Sequence, residues 1–514
     1  MTSRRLPPFL RALLLALGVL LAGCASLPPP QGRTESSALQ DTADTRLGRS
    51  VAEMARGHPG QSGVFALAQG LDAFAARAGL ADAAERSLDV QYYIWRDDMS
   101  GGLLLDVLRR AADRGVRVRL LLDDNNTAGM DRVLAELAAH RNIEVRLFNP
   151  SVARGWRPLG YLLDFERQNR RMHNKSFTAD NQVTIVGGRN VGDEYFDADP
   201  GRLFVDLDVI AIGPVVSQVS RDFDRYWASD SSYPAQWIVR PRGGAPPPVS
   251  ESAGATLATN RALYLDALER EGFVRAAMQH RLPFEWAPVR MVSDDPGKGL
   301  GLAGDDSLLW SRLLRVMRPP RSSLELVSPY FVPGAAGVEQ LASLARQGVR
   351  IVVVTNSLAA TDVAAVHAGY ARWRKALLEA GVTLFEMKPT AGEQLATERR
   401  LGGSSAASLH AKTFSVDRTQ LFVGSFNFDP RSQQLNTELG FVIDSPALAA
   451  ATSDAIIGKL ARTAYRVQLG PDGALQWADK IEGRELLLDA EPGASFWRQF
   501  GVGLLSLLPI DWLL

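Results

Sequence analysis

Two histidines, two lysines and two asparagines recur in one spacing at two places in the chain. His173, Lys175, Asp180, Gly187 and Asn190 reappear 237 positions later (410 minus 173) as His410, Lys412, Asp417, Gly424 and Asn427. The shared pattern is His-x-Lys, four residues, Asp, six residues, Gly-[Gly/Ser]-x-Asn. Imidazoles, ammonium groups and carboxamides brought together suit a phosphodiester, whose transferring phosphoryl group spreads negative charge over its oxygens. One neutral histidine can attack phosphorus to give a phosphohistidine. The other, protonated, can donate to the leaving alcohol and later deprotonate the acceptor. The lysines serve as compact charges on nonbridging oxygens, and this chemistry calls for no metal and no cofactor.

Positioning these groups requires that both halves contribute to one site. On a strand, residues two apart share a face, so each His and Lys point the same way. The Gly-x-Asn segment after the next short strand lets the backbone approach a ligand closely, with Asn190 or Asn427 offering an amide donor and Ser425 a hydroxyl. A carboxylate on the far ring nitrogen would fix each tautomer. Asp208 and Glu438, which follow their motifs in strand-like stretches, are the candidates. Asp180 and Asp417 are carried with the catalytic set as motif members, in the role of holding its turns.

The repeat extends upstream of the motifs. Ser87 to Ile94 and Ser323 to Phe331 read as buried strands. A helical stretch follows in each half, ending at Gly115 or Gly348, residues suited to a helix C-terminus. A second helix and strand close at Asn149-Pro150 and Lys388-Pro389. Strands alternating with helices predict parallel-type sheets covered on both faces. The expected fold is α/β, with two tandem duplicated α/β/α domains in pseudo-two-fold arrangement and the active site at their interface. The expected boundaries are 56–240 and 256–514, with a Pro- and Gly-rich linker at 241–255.

With these motifs the sequence resembles the phospholipase D superfamily, and within it the bacterial cardiolipin synthases without transmembrane helices. The resemblance spans roughly residues 60–514. It implies phospholipase D-type domains and ping-pong transfer through phosphohistidine, with no metal or cofactor. It further implies His173 as nucleophile and His410 as general acid and base. The first motif departs by carrying Gly188 where the second has Ser425. The implied reaction is phosphatidyl transfer from phosphatidylglycerol or phosphatidylethanolamine. Hydrolysis to phosphatidic acid is the near alternative, a periplasmic phosphodiesterase or nuclease a remoter one, and a non-catalytic binding module a different class.

At the N-terminus, Arg4 and Arg5 precede an apolar stretch from Phe9 to Leu21, and Leu21-Ala22-Gly23-Cys24 resembles a lipobox. Residues 1–23 then form a lipoprotein signal peptide, Cys24 is the lipidated residue, and 24–55 are a flexible tether. Cys24 is the only cysteine, so no internal disulfide is possible. Ala25-Ser26 lacks the aspartate of inner-membrane retention. The expected place is therefore the bacterial envelope, anchored in the outer membrane and facing the periplasm.

At 46% hydrophobic and 22% charged, 514 residues can fill two cores. Lys+Arg and Asp+Glu both number 57, so no global basic field points to nucleic acid. Phospholipids and the membrane are the expected partners, and the oligomeric state is left open. Arg167, Arg170, Arg171 and Arg189 gather around the first motif, either as an anion site or as a solvated face. His367 is read as structural. The C-terminal apolar run bracketed by Trp497 and Trp512 is too short to span a bilayer, and it is read as packing on the core in preference to an interfacial element.

Overall fold

The structure, a computed structural model, describes residues 27–29, 31–199, 202–240, 261–262, 264–266, 282–389, 406–481 and 483–506. Cys24, the segment before it and the 241–255 connection lie outside these residues.

Two large sheets are built to one plan. In the first, Ser87–Tyr92, Arg117–Asp123 and Ile143–Phe148 run parallel. In the second, Ser323–Val327, Arg350–Asn356 and Thr383–Met387 do the same. Their runs of Val, Leu and Ile are buried on both faces, as parallel strands between helices must be. The helices Met99–Asp113 and Gly334–Arg346 connect strands within each parallel set, and beyond them Gly115 and Gly348 take φ of +97° and +87°.

Among the described residues the expected parallel character covers three of the nine strands of the first sheet and three of the ten of the second. Ser176–Ala179, Val183–Gly187 and Asp208–Ile212 extend the first sheet antiparallel, and Lys412–Val416, Gln420–Gly424 and Leu439–Ile443 extend the second. The cause is local: each motif folds as a tight hairpin with three residues between the paired strand ends, which reverses the chain where a crossover helix would preserve its direction. Asp180 and Asn181, and likewise Asp417 and Arg418, sit at φ between +50° and +54° in these turns.

The expected start of the second domain at 256 is corrected by strand pairing. Glu285–Ala287 pairs with Ser62–Leu67 at the edge of the first sheet, and Tyr264 is buried in the first core with its hydroxyl on Phe196 O. The next strand, Val289–Ser293, already pairs with Leu439–Ile443 in the second sheet, so Pro288 alone joins the two lobes. They are also tied by a parallel pair, Arg202–Val205 with Ala406–Leu409, and by an apolar cluster containing Val186, Val209, Val354, Val423 and Phe441.

The expected tether is likewise shorter than 24–55. The carbonyls of Thr34, Ser36 and Ser37 accept from Arg146, Arg119 and Arg117, and Ala38 N donates to Asp224. The helix Arg46–Met54 then starts from a Thr45 cap. Among the described residues no helix is long and apolar enough to cross a membrane.

Candidate active site

Each motif histidine is gripped by the opposite lobe. His173 N donates to Thr437 O at 2.9 Å, and the next residue, Glu438, meets His173 Nδ1 through Oε2 at 2.8 Å. In the same way His410 N donates to Val205 O at 2.8 Å, and Asp206 Oδ2 meets His410 Nδ1 at 2.6 Å. One backbone bond and one carboxylate therefore fix each ring from across the interface. All four side chains are buried.

Asp206, not the expected Asp208, orients His410. Asp208 Oδ2 is paired with Arg77 at 2.8 Å, and its Oδ1 accepts from Arg189 N. Arg189 is itself buried, donating to Leu67 O, Ala68 O and Asp206 O. Arg171 likewise donates to Asn149 O and pairs with Asp123 at 3.2 Å. These two arginines brace the motif from within, and only Arg170, which caps Gln434 O, and Arg167, paired with Asp164, stay near the surface.

Lys175 Nζ donates to His173 O at 2.6 Å, and Lys412 Nζ donates to His410 O. Both ammonium groups are buried, and burial pushes Lys175 well below its ordinary value and Lys412 down to about 8. Asp180 and Asp417 stand apart from this chemistry. Asp180 accepts from the backbone of Glu85, Arg86 and Ser87, and Asp417 from that of Arg321, Ser322 and Ser323. Both clamp the motif hairpin to the neighbouring strand, which corrects their place in the catalytic set.

The remaining polar residues divide unevenly. Asn190 accepts from Ile94 N and donates to Tyr195 OH, so its amide is committed to the fold. Asn427 Oδ1 is buried without a partner. Ser425 Oγ donates to Glu438, whose other oxygen accepts from Ser432 Oγ at 3.0 Å. Gly188 explains the missing hydroxyl in the first motif, because a Cβ there would lie 2.2 Å from Asp206 Oδ1.

Three tyrosines line the centre that motif reading did not find. Tyr93 packs edge-on to His173 at 4.9 Å and Tyr195 to His410 at 5.2 Å, while Tyr330 OH bonds Asp362 at 2.9 Å. The signal was present in the sequence, since Tyr93 and Tyr330 are separated by the motif offset. His367 is held by Arg374 and Glu491, away from the motif pairs.

The electrostatics of the two pairs differ. Burial lowers His173 well below its usual value, and Lys175, Lys412 and His410 push it the same way. Burial also raises Glu438 to about 8, against the pull of Lys175 and Ser425. That pair therefore holds one proton between ring and carboxyl and carries no net charge near neutrality. Burial and Lys412 lower His410 to about 4. Burial would raise Asp206, but His410 and Lys412 outweigh it and hold the carboxyl at about 2. The second pair is thus a neutral ring on a carboxylate. Between them the two pairs hold one transferable proton, which is what one base and one acid require.

The sequence profile described as "Cardiolipin synthase, PLD-like domain" matches residues 79–227 and 313–457, one stretch per lobe. The chain is 52% identical to cardiolipin synthase C of Escherichia coli (strain K12), across 91% of this chain and 100% of that one. This chain belongs to the cardiolipin synthase family of phospholipase D-like proteins. A cardiolipin synthase of Staphylococcus aureus (strain Mu50 / ATCC 700699) is 25% identical over 72% of this chain and 62% of its own length. The family fold is also that of the phosphatidylserine synthase of Haemophilus influenzae Rd KW20. That structure covers 81% of this chain and 92% of its own, with a TM-score of 0.52 and 13% identity.

Proposed function

We propose that the protein is a phosphatidyltransferase that makes cardiolipin, taking the phosphatidyl group from phosphatidylglycerol or phosphatidylethanolamine. The observation that carries this reading is the pair of crossed histidine–carboxylate contacts, in a chain sharing 52% identity with cardiolipin synthase C. Nδ1 of each ring is committed to a carboxylate, so chemistry falls to Nε2. His173 attacks the donor phosphorus while the P–O bond to the leaving alcohol breaks, and that oxygen takes the proton of His410. A hydroxyl of the acceptor lipid then gives its proton to His410 and attacks phosphorus. The P–N bond breaks and its electron pair returns to His173. Lys175 and Lys412 balance charge on the phosphoryl oxygens, and the one transferable proton, held by the His173–Glu438 pair before substrate binds, passes to His410 ahead of the attack and leaves His173 neutral.

Attachment through Cys24 to the outer membrane, facing the periplasm, belongs to the same proposal. It is supported by the lipobox and by the short path from Cys24 to the packed segment beginning near Arg33. Such an anchor raises the effective concentration of lipid substrate at the cleft without any change in the site.

The test is incubation with mixed micelles of phosphatidylglycerol and phosphatidylethanolamine, with products read by mass spectrometry. Cardiolipin as main product supports the proposal. Phosphatidic acid alone would make the protein a phospholipase D.

A further inference from the structure

Of the thirteen large apolar side chains exposed among the described residues, seven fall on two short segments. One follows the strand Ile143–Phe148 and exposes Trp156 at 65%, Leu162 at 81% and Phe165 at 46%. The other is the helix Phe496–Leu505, which exposes Trp497 at 76%, Phe500 at 58% and Leu504 at 60%. Single exposed apolar residues are ordinary on soluble proteins; clusters of them mark interaction sites. We propose that these two faces together form the surface on which the protein lies against a phospholipid bilayer, with the cleft turned to the headgroups.

The helix has two apolar sides. Val502 and Leu505 pack with Leu358 and Ala368, which fastens the helix to the second lobe. Trp497, Phe500 and Leu504, at i, i+3 and i+7, fall on another face and stay in solvent. A core-packed helix of a protein living wholly in water would carry polar residues there. Tryptophan at the edge of such a face is suited to headgroup depth.

Position singles out a bilayer as the occupant. The first segment is tied to the site by Tyr161 OH on Asn125 Oδ1 at 3.0 Å and by Asn126 Nδ2 on Tyr93 O at 3.3 Å, and Tyr93 packs on His173. The second is tied by Arg498 on Thr361 O at 2.8 Å, beside Asp362, which accepts from Tyr330 OH. Tyr93 and Tyr330 are equivalent residues of the two halves, so the two faces flank the cleft, one on each lobe.

One further observation agrees. Leu27 and Pro28 line the same cavity of about 990 Å³ as Trp156 and Arg157. Leu27 is three steps along the chain from Cys24, a reach of about 10 Å, so an acyl chain on Cys24 would enter the bilayer beside the first face.

This inference rests on the proposed lipid chemistry for its meaning but not for its test. Full-length protein is reconstituted in phosphatidylglycerol vesicles containing brominated lipid. Wild type should show tryptophan quenching that Trp497→Phe loses in part. Transfer is then compared on phosphatidylglycerol vesicles and on dihexanoyl-phosphatidylglycerol dispersed as monomers. The variants are the triple serine replacement of Trp156, Leu162 and Phe165 and that of Trp497, Phe500 and Leu504. Each should lose about tenfold on vesicles, the equivalent of one aromatic side chain withheld from the interface, and stay within about twofold on monomers. Equal rates on both substrates, equal losses on both, or absence of Trp497 quenching would overturn the docking surface. If wild type transfers nothing from either substrate, the proposed function fails, and quenching alone decides whether these faces meet the bilayer.

Discussion

Glu438 of the second lobe holds His173 of the first at 2.8 Å, and Asp206 of the first holds His410 of the second at 2.6 Å. Neither lobe contains a complete histidine–carboxylate pair. The crossing makes the proton inventory of the site a property of the assembled interface.

That inventory sets the pH dependence. Below about 4 the His410–Asp206 pair gains a proton of its own, so each pair holds one and the balance of one base to one acid is lost. Above about 8 the His173–Glu438 pair gives up the last proton and no acid remains. The expected kcat/KM profile is therefore a bell, rising through about 4 and falling through about 8. Lys412, at about 8, loses its charge over the same alkaline limb. Lys412→Arg, permanently charged, should remove that share and leave the part due to Glu438. A rate rising steadily beyond pH 9 would contradict the one-proton site.

Removing either ring should lower turnover by on the order of 10²–10⁴-fold or more, but with different residues of chemistry. His410→Ala, lacking the base for the second step, is expected to accumulate protein-bound phosphatidyl label. His173→Ala should hold none. Label trapped on the His173 variant would reverse the assignment.

Gly188 and Ser425 occupy matching places with opposite requirements. Gly188→Ser drives a side chain into Asp206 and should displace it from His410, lowering kcat by on the order of 10²-fold. Ser425→Ala removes one hydrogen bond to Glu438 and should cost less, about 1–3 kcal/mol of stability or transition-state energy. Steady-state kinetics of the two variants side by side would check the order.

Asp180→Ala should act on stability and not on chemistry. Its carboxylate accepts three backbone N–H groups between 2.8 and 3.0 Å, so its loss should cost about 2–4 kcal/mol. Denaturant unfolding would show a lower midpoint, while kcat per folded molecule stays close to wild type.

The duplicated motifs were legible because their spacing is one-dimensional: hairpin length and strand period fix every polar offset. Asp206 was not legible, because Asp206 and Asp208 lie two apart in a stretch that reads as one strand, whereas Asp206 sits in the link between Arg202–Val205 and Asp208–Ile212. Register across the interface, and the claim of Arg77 on Asp208, decide which one reaches His410. Arg189, which the sequence left open as part of an anion site or of a solvated face, is neither: it is a buried brace, since its carbonyl partners come from other segments of the chain. The domain boundary was misplaced because a Pro- and Gly-rich stretch marks irregular backbone, whereas the lobes actually part at Pro288.

That single proline between Ala287 and Val289 has a consequence for traffic. A one-residue joint, flanked by strands paired into different sheets and backed by the parallel pair of Arg202–Val205 with Ala406–Leu409, leaves no hinge about which the lobes could swing apart. Substrates then meet the two histidines in the one arrangement that the joined lobes hold, and selection among lipids falls to the shape of that cleft and not to its opening and closing.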